Sequence, residues 1–283
     1  MIMSEKIISI NGIDLCNESF GEKTHPAILL IMGAAASMLW WPEGLCRRLA
    51  DAGRFVIRYD NRDTGRSTTY APGHPGYSLD DLAQDAVGVL DACEIPCAHL
   101  VGMSLGGMIA QIVALSHPDR VTRLSLISSS IFGPLNPDLP TIDAKILNYH
   151  KSAATLDWSD KAAVVEYIVR GWRLLSGSAH PFDETTVRAT ATTEVTRSRN
   201  LLSEFNHALL KGGERWYGKI GQISVPTLVI HGTDDPVLPY QHGLALAKEI
   251  PGARLLTLTG GGHELHRDDW DEIARAILEH DAA

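Results

Sequence analysis

The stretch His99-Leu100-Val101-Gly102-Met103-Ser104-Leu105-Gly106-Gly107 does most to limit what this chain can become. An apolar run of strand character ends in Gly-x-Ser-x-Gly, and the chain passes at once into apolar residues at helical spacing. A strand turning directly into a helix forces its central residue into a strained conformation. It also brings neighbouring backbone so close that the flanking positions hold no side chain. Gly102 and Gly106 meet that demand, and Ser104 is then held with its hydroxyl out at the C-terminal edge of a sheet. The amide of Leu105 opens the helix, has no helical acceptor and is free to bind a developing oxyanion. The pattern alone arises by chance in about one chain in ten of this length, so its weight comes from its setting.

That setting is a regular alternation. Short aliphatic runs at 7–10, 14–19, 27–32, 55–60, 98–103, 123–128, 227–231 and 254–259 read as strands. Segments 41–52, 79–94, 105–116, 241–250 and 270–280 carry apolar residues three and four apart and read as helices. Strand-helix alternation predicts an α/β fold with a mostly parallel, eight-stranded sheet flanked by helices, and the unbroken apolar runs suit strands covered on both faces. Ser78 followed by Asp81 predicts a capping box at the start of the second helix. One stretch, 131–217, has no strand pattern and reads as helices, as in KAAVVEYIVRGWRLL and LLSEFNHALL. The expected organisation is a core of residues 1–130 and 218–283 with a helical cap of 131–217 inserted after the sixth strand.

A serine hydroxyl needs a base to attack, and the base needs a carboxylate to fix its tautomer. In the order serine, acid, histidine, TLVIHGTDDPVLPY supplies Asp234 and Asp235 after a strand, and LLTLTGGGHELH supplies His263 in a glycine-rich loop. Three glycines at 260–262 would give that loop the freedom to bring the imidazole over the sheet edge. His266 is the alternative base. His231, ending a strand, and His99, starting one at the edge opposite Ser104, read as structural.

At these residues the chain resembles the α/β-hydrolase family over nearly its whole length. The resemblance implies that the acid follows its strand in a G-x-x-D pattern with a nearby proline, which selects Asp235 within Gly232-Thr233-Asp234-Asp235 and leaves Asp234 as a turn residue. It also implies a second oxyanion donor after an early strand, here the amide of Ala34 in Met32-Gly33-Ala34, with Met32 where the family usually has histidine. Asp60-Asn61-Arg62-Asp63-Thr64-Gly65-Arg66-Ser67 matches a family loop of D-x-R-G-x-G-x-S form, with Asp63 in place of glycine, and is expected to be scaffold. FVIRYDNRDTGRST and WRLLSGSAHPFD are similar to the aclacinomycin methylesterase subgroup. The implied activity is a serine esterase using Ser104, His263 and Asp235, with Ala34 and Leu105 as oxyanion donors. Met32, Trp172 and Phe205 are candidates for the pocket, among cap aromatics that also include Trp158, Tyr167 and Phe182. C-C bond hydrolases of meta-cleavage type, cofactor-free perhydrolases and ligand receptors share the scaffold and stand as alternatives.

Composition narrows the partners. A net charge of −9, with no basic run longer than Arg47-Arg48, excludes a phosphate-binding surface and hence nucleic acid. The apolar stretch 27–36 is about half a membrane span, and charges at Glu5 and Lys6 interrupt what a signal peptide would need apolar, so a cytoplasmic protein without membrane contact is expected. The four cysteines match no disulfide framework or zinc spacing, and no metal or cofactor is expected. The expected partner is a small hydrophobic, uncharged ester, for example a methyl ester of a polyketide-like compound. Oligomeric state is not legible.

Overall fold

A computed structural model describes residues 5–134 and 136–282. Eight strands form one sheet: β1 (Lys6–Ile10), β2 (Ile13–Phe20), β3 (Ala27–Ile31), β4 (Phe55–Tyr59), β5 (Ala98–Met103), β6 (Val121–Ile127), β7 (Thr227–Gly232) and β8 (Arg254–Leu258). Their spatial order is β1-β2-β4-β3-β5-β6-β7-β8. β1 and β2 pair antiparallel through a two-residue turn at Asn11-Gly12, where both residues take positive φ (50° and 78°), as a tight hairpin requires. β2 also runs antiparallel to β4, and all remaining neighbours are parallel.

The parallel strands are covered on both faces. Alternate residues of β3 show this: Leu29 and Ile31 join one apolar layer, and Ile28 and Leu30 join the other. α2 (Leu79–Ala92), α3 (Leu105–Ser116) and α7 (Gln241–Glu249) cover the first face, while α1 (Glu43–Asp51) and α8 (Trp270–Ala282) cover the second. The capping box forms at α2, where Ser78 Oγ accepts from the Asp81 amide and Asp81 Oδ2 accepts from the Ser78 amide. α1 starts two residues later than its periodicity suggests because Pro42 occupies the cap position.

Between β6 and β7 lie α4 (Ala144–Lys151), α5 (Lys161–Leu175) and α6 (Glu184–Arg197), followed by 3-10 turns over Leu201–Leu209 and Glu214–Trp216. LLSEFNHALL is thus wound more tightly than an α-helix. Ser203, Asn206 and His207 bond Tyr70 O, Asp63 and Arg62 O in the core.

β3 pairs with β4 on one side and β5 on the other, so the connections leaving β3 and β5 diverge. The crevice this opens at the C-terminal strand ends is the place where such sheets bind ligands. The loop after β3 and the turn after β5 meet there.

Candidate active site

Ser104 stands between β5 and α3 at φ 52° and ψ −120°. The glycines around it answer to contacts rather than to flexibility. A Cβ on Gly102 would lie 2.3 Å from the Gly106 carbonyl oxygen, and one on Gly106 would lie 2.0 Å from that of Ile31. The turn is pinned by the Ser104 amide donating to Ile127 O at 2.9 Å and by Ser129 Oγ donating to Ser104 O at 2.8 Å. Gly33 lies opposite, with its missing Cβ 3.1 Å from Ser104 Cβ. Neither the Ala34 nor the Leu105 amide donates to a protein acceptor among the described residues.

Asp235 and His263 come together in loops after β7 and β8. His263 Nδ1 donates to Asp235 Oδ2 at 2.7 Å, which leaves Nε2 as the nitrogen available to the cavity. Asp235 Oδ1 accepts the Val237 and Leu238 amides, both at 2.9 Å. His231 Nε2 lies 3.4 Å from Asp235 Oδ2 and donates to Leu238 O at 2.7 Å. Burial pushes the Asp235 carboxyl upward, but the charge of His263 and the hydrogen bonds from His231 and His263 outweigh it and hold the group well below the usual carboxylate range. His231 was legible only as a structural histidine, and its approach to the acid is new. Asp234 points elsewhere and accepts from Ser178 Oγ and Thr233 Oγ1. His266 stacks on His180 and donates through Nε2 to Pro181 O, away from Asp235.

The glycines at 260–262 have a different reason from the loop freedom read in the sequence. Of the three, only Gly260 has positive φ (73°). A Cβ on Gly262 would lie 2.3 Å from both Gly177 N and Leu175 O, because the segment after α5 packs backbone to backbone on the histidine loop. Gly260 O accepts the Ser178 and Ala179 amides at 2.8 and 2.9 Å, and Leu175 O accepts the His263 amide at 2.8 Å. Ser176 Oγ and the Gly177 amide donate to Glu264 at 3.1 and 3.0 Å.

A cavity of about 420 Å³ joins these parts, and its wall includes Met32, Ala34, Ser104, Trp172, Phe205 and His263. Trp158 and Tyr167 also line it, whereas Phe182 lies beneath the Arg173 guanidinium. Trp172 stacks on Trp40 of the core at 4.0 Å, and Phe205 meets Trp158 edge to face.

The loop 60–67 is held by charge and hydrogen bonds. Arg197 of α6 donates to both oxygens of Asp60, and Arg62 grips Asp85 with two bonds of 2.6 and 2.9 Å. Asp63, which stands where the family pattern has glycine, has φ 68°. Its carboxylate accepts from the Tyr70 amide, Tyr77 Oη and Asn206 Nδ2, bonds that offset the cost of that backbone conformation.

Two acids that sequence reasoning passed over lie close by. Glu194 accepts from Ser37 and Ser198 hydroxyls and is pushed up to about 7, by burial first, with Asp60 adding to the effect. Glu204 lines the cavity and is raised well above the usual range by burial and by the neighbouring carboxyls of Glu194, Asp60 and Asp63. Each has one apolar neighbour, Val195 or Phe205, and is otherwise flanked by polar residues in EVTR and SEFN, so the local sequence carries no signal for its burial. One group of side chains that could hold a metal occurs among the described residues: His180, His266 and Asp268, with ligand atoms within 4.8 Å of one another. The four cysteines are free thiols.

The family model of the alpha/beta hydrolase fold matches residues 26–269. The chain is 33% identical to rhodomycin D methylesterase DauP of Streptomyces sp. (strain C5), over 99% of both chains. It is 31% identical to rhodomycin D methylesterase DnrP of Streptomyces peucetius, again over 99% of each. A solved hydrolase structure from Pseudomonas aeruginosa superposes with a TM-score of 0.74 at 25% identity, covering 99% of this chain and 98% of that one.

Proposed function

The chain belongs to the alpha/beta hydrolase fold family, and from that premise we propose that it is a serine carboxylic-ester hydrolase acting on a hydrophobic, uncharged ester, with Ser104, His263 and Asp235 as its triad. The observation that carries the reading is the 2.7 Å bond between His263 Nδ1 and a carboxylate held ionised in a buried site, with His263 and Ser104 in the wall of one cavity. A fixed Nδ1–H leaves Nε2 basic, as a general base for a hydroxyl must be.

In the first step Ser104 Oγ bonds to the ester carbonyl carbon as His263 Nε2 takes its proton. Asp235 orients the imidazole and offsets its charge. The amides of Ala34 and Leu105, free of protein acceptors, stabilise the oxyanion. The carbon-oxygen bond to the alcohol then breaks, and the leaving oxygen takes the proton from His263. Water, deprotonated in turn by His263, repeats the attack on the acyl-enzyme and releases the acid and Ser104.

Segment 131–217 acts as the cap that selects the substrate. The aromatic wall, with Met32 where the family pattern has histidine, favours an apolar ester, and the two relatives named methylesterases support a small alkoxy leaving group. Among the described residues no helix is long and apolar enough to cross a membrane. The test is labelling by a fluorophosphonate, followed by methyl and p-nitrophenyl esters graded by acyl size. Wild-type protein takes up the label, and Ser104→Ala does not and loses turnover by about a million-fold. Retention of more than about a thousandth of the activity by Ser104→Ala sinks the reading.

A further inference from the structure

His207 belongs to the tightly wound cap segment Leu201–Leu209 and stands, buried, in the wall of the cavity that holds Ser104. Its two ring nitrogens join two loops of the core. Nδ1 accepts the Ala35 amide at 3.1 Å, and Nε2 donates to Arg62 O at 2.8 Å. A carbonyl oxygen only accepts, so the proton sits on Nε2, and an amide N–H needs a lone pair, so Nδ1 is bare. The two bonds thus fix a neutral ring in one tautomer, and burial also disfavours its charged form. The triad chemistry makes no use of this histidine.

What it holds is the loop that carries one of the proposed oxyanion donors. Gly33 packs on Ser104, and the Gly33–Ala34 peptide presents the Ala34 amide. The peptides on either side are both tied to the loop 60–67. Before it, Met32 O accepts from Asn61 Nδ2 at 3.2 Å. After it, the Ala35 amide is linked to Arg62 O through the imidazole of His207, and the Arg62 side chain is itself anchored on Asp85. Ala35 has φ 53°, a conformation that a residue with a Cβ adopts at a cost and keeps only when its surroundings hold it there. Release of the Ala35 amide frees that turn to relax, and the neighbouring Ala34 amide loses its aim. We propose that His207 is a positioning residue of the hydrolysis: by holding the Ala35 amide it fixes the loop so that the Ala34 amide meets the carbonyl oxygen as charge develops there. The inference deepens the esterase reading and rests on it.

Two substitutions separate the two bonds. His207→Asn puts an amide oxygen where Nδ1 stands and gives up the bond to Arg62 O, whereas His207→Gln puts an amide nitrogen where Nε2 stands and gives up the bond from Ala35. Each variant loses one of two buried hydrogen bonds, so a histidine that only fastened the cap would leave both equally impaired. Stopped-flow acylation by a p-nitrophenyl ester resolves the saturation constant from the maximal acylation rate. His207→Gln lowers the maximal rate by about a hundredfold, the value of one oxyanion donor, and leaves the saturation constant within about twofold, because the interaction is made only in the transition state. His207→Asn, in which Ala35 keeps an acceptor, loses less than about fivefold. Nitrogen-15 shifts of the wild-type ring supply a readout that needs no variant: at neutral pH Nε2 is protonated and Nδ1 is not. The proposal is overturned if the two variants lose maximal rate equally, if the loss in His207→Gln falls on the saturation constant, or if Nδ1 carries the proton. Failure of the esterase reading is separate, since it is read from fluorophosphonate labelling of the wild-type protein.

Discussion

Asp235 and Glu204 are buried almost equally, at 4% and 9% exposure, yet one carboxyl is held well below the usual carboxylate range and the other is raised well above it. Burial therefore does not decide the charge. Asp235 receives two backbone amides on one oxygen and two imidazoles near the other. Glu204 receives no donor on Oε1 and sits among three other carboxyls. The same amount of water was removed from both, and the donors supplied in its place differ. An anion surrounded by fixed donors can orient an imidazole.

The largest effect expected from this contrast is at Asp235. Asp235→Asn keeps the shape but offers Nδ2–H to His263, which reverses the tautomer, and turnover falls by about ten thousand-fold. Burst kinetics with a p-nitrophenyl ester measure this directly. A loss under about tenfold would mean that the carboxylate does not fix the imidazole.

Next in size is the pH dependence of stability set by Glu194. Glu194 is pushed from its ordinary 4.5 up to about 7, so between those values the folded chain binds more protons than the unfolded one. Its contribution to stability is present below about 4.5 and is lost as pH rises through about 7, the reverse of Asp235, whose depressed value adds stability that disappears only as pH falls below the ordinary carboxylate range. The Glu194 effect amounts to about 3 kcal/mol. Urea midpoints at pH 4.5 and 8 should draw together in Glu194→Gln, and an unchanged gap would show that Glu194 ionises normally.

The third prediction concerns how the histidine is positioned. Gly262→Ala places a methyl 2.3 Å from backbone atoms of residues 175 and 177, and backbone cannot swing aside as a side chain can. The loop must move by a sizeable fraction of an ångström, taking His263 with it. A displacement of that order costs about a hundredfold in kcat. Circular dichroism would establish that the variant is folded, and kcat within about threefold of wild type would mean that the loop absorbs the methyl without moving the imidazole.

The sequence reveals local constraints far better than it reveals which surfaces meet. The sheet was legible because the buried strands are mainly apolar runs, and the strand-to-helix turn because Gly102, Ser104 and Gly106 lie within five residues. Asp235 and His263 were legible as residue types at the ends of strands. The reason for Gly262 was not, since it lies in residues 175–177, far away in sequence. Glu194 and Glu204 were missed for the same reason. A glutamate in a helical pattern reads as solvated until tertiary packing buries it, and nothing within a few residues announces that Ser37, Asp60 and Asp63 will be its neighbours.

The smallest expected effect tests the contrast over a single step along the chain. Asp234 and Asp235 share one loop, but the Asp234 side chain is exposed and turned toward Ser178 and Thr233, while that of Asp235 is buried against His263. If donors and burial assign the role, Asp234→Asn should leave kcat/KM within about threefold of wild type, because an amide oxygen can still accept from both hydroxyls and an exposed site loses little. If net negative charge near the histidine were what mattered, the two substitutions would cost comparable amounts, since each removes one charge from the same turn. Steady-state assays of the two variants with one ester therefore separate a positioned hydrogen bond from a diffuse field, and a hundredfold loss in Asp234→Asn would favour the field.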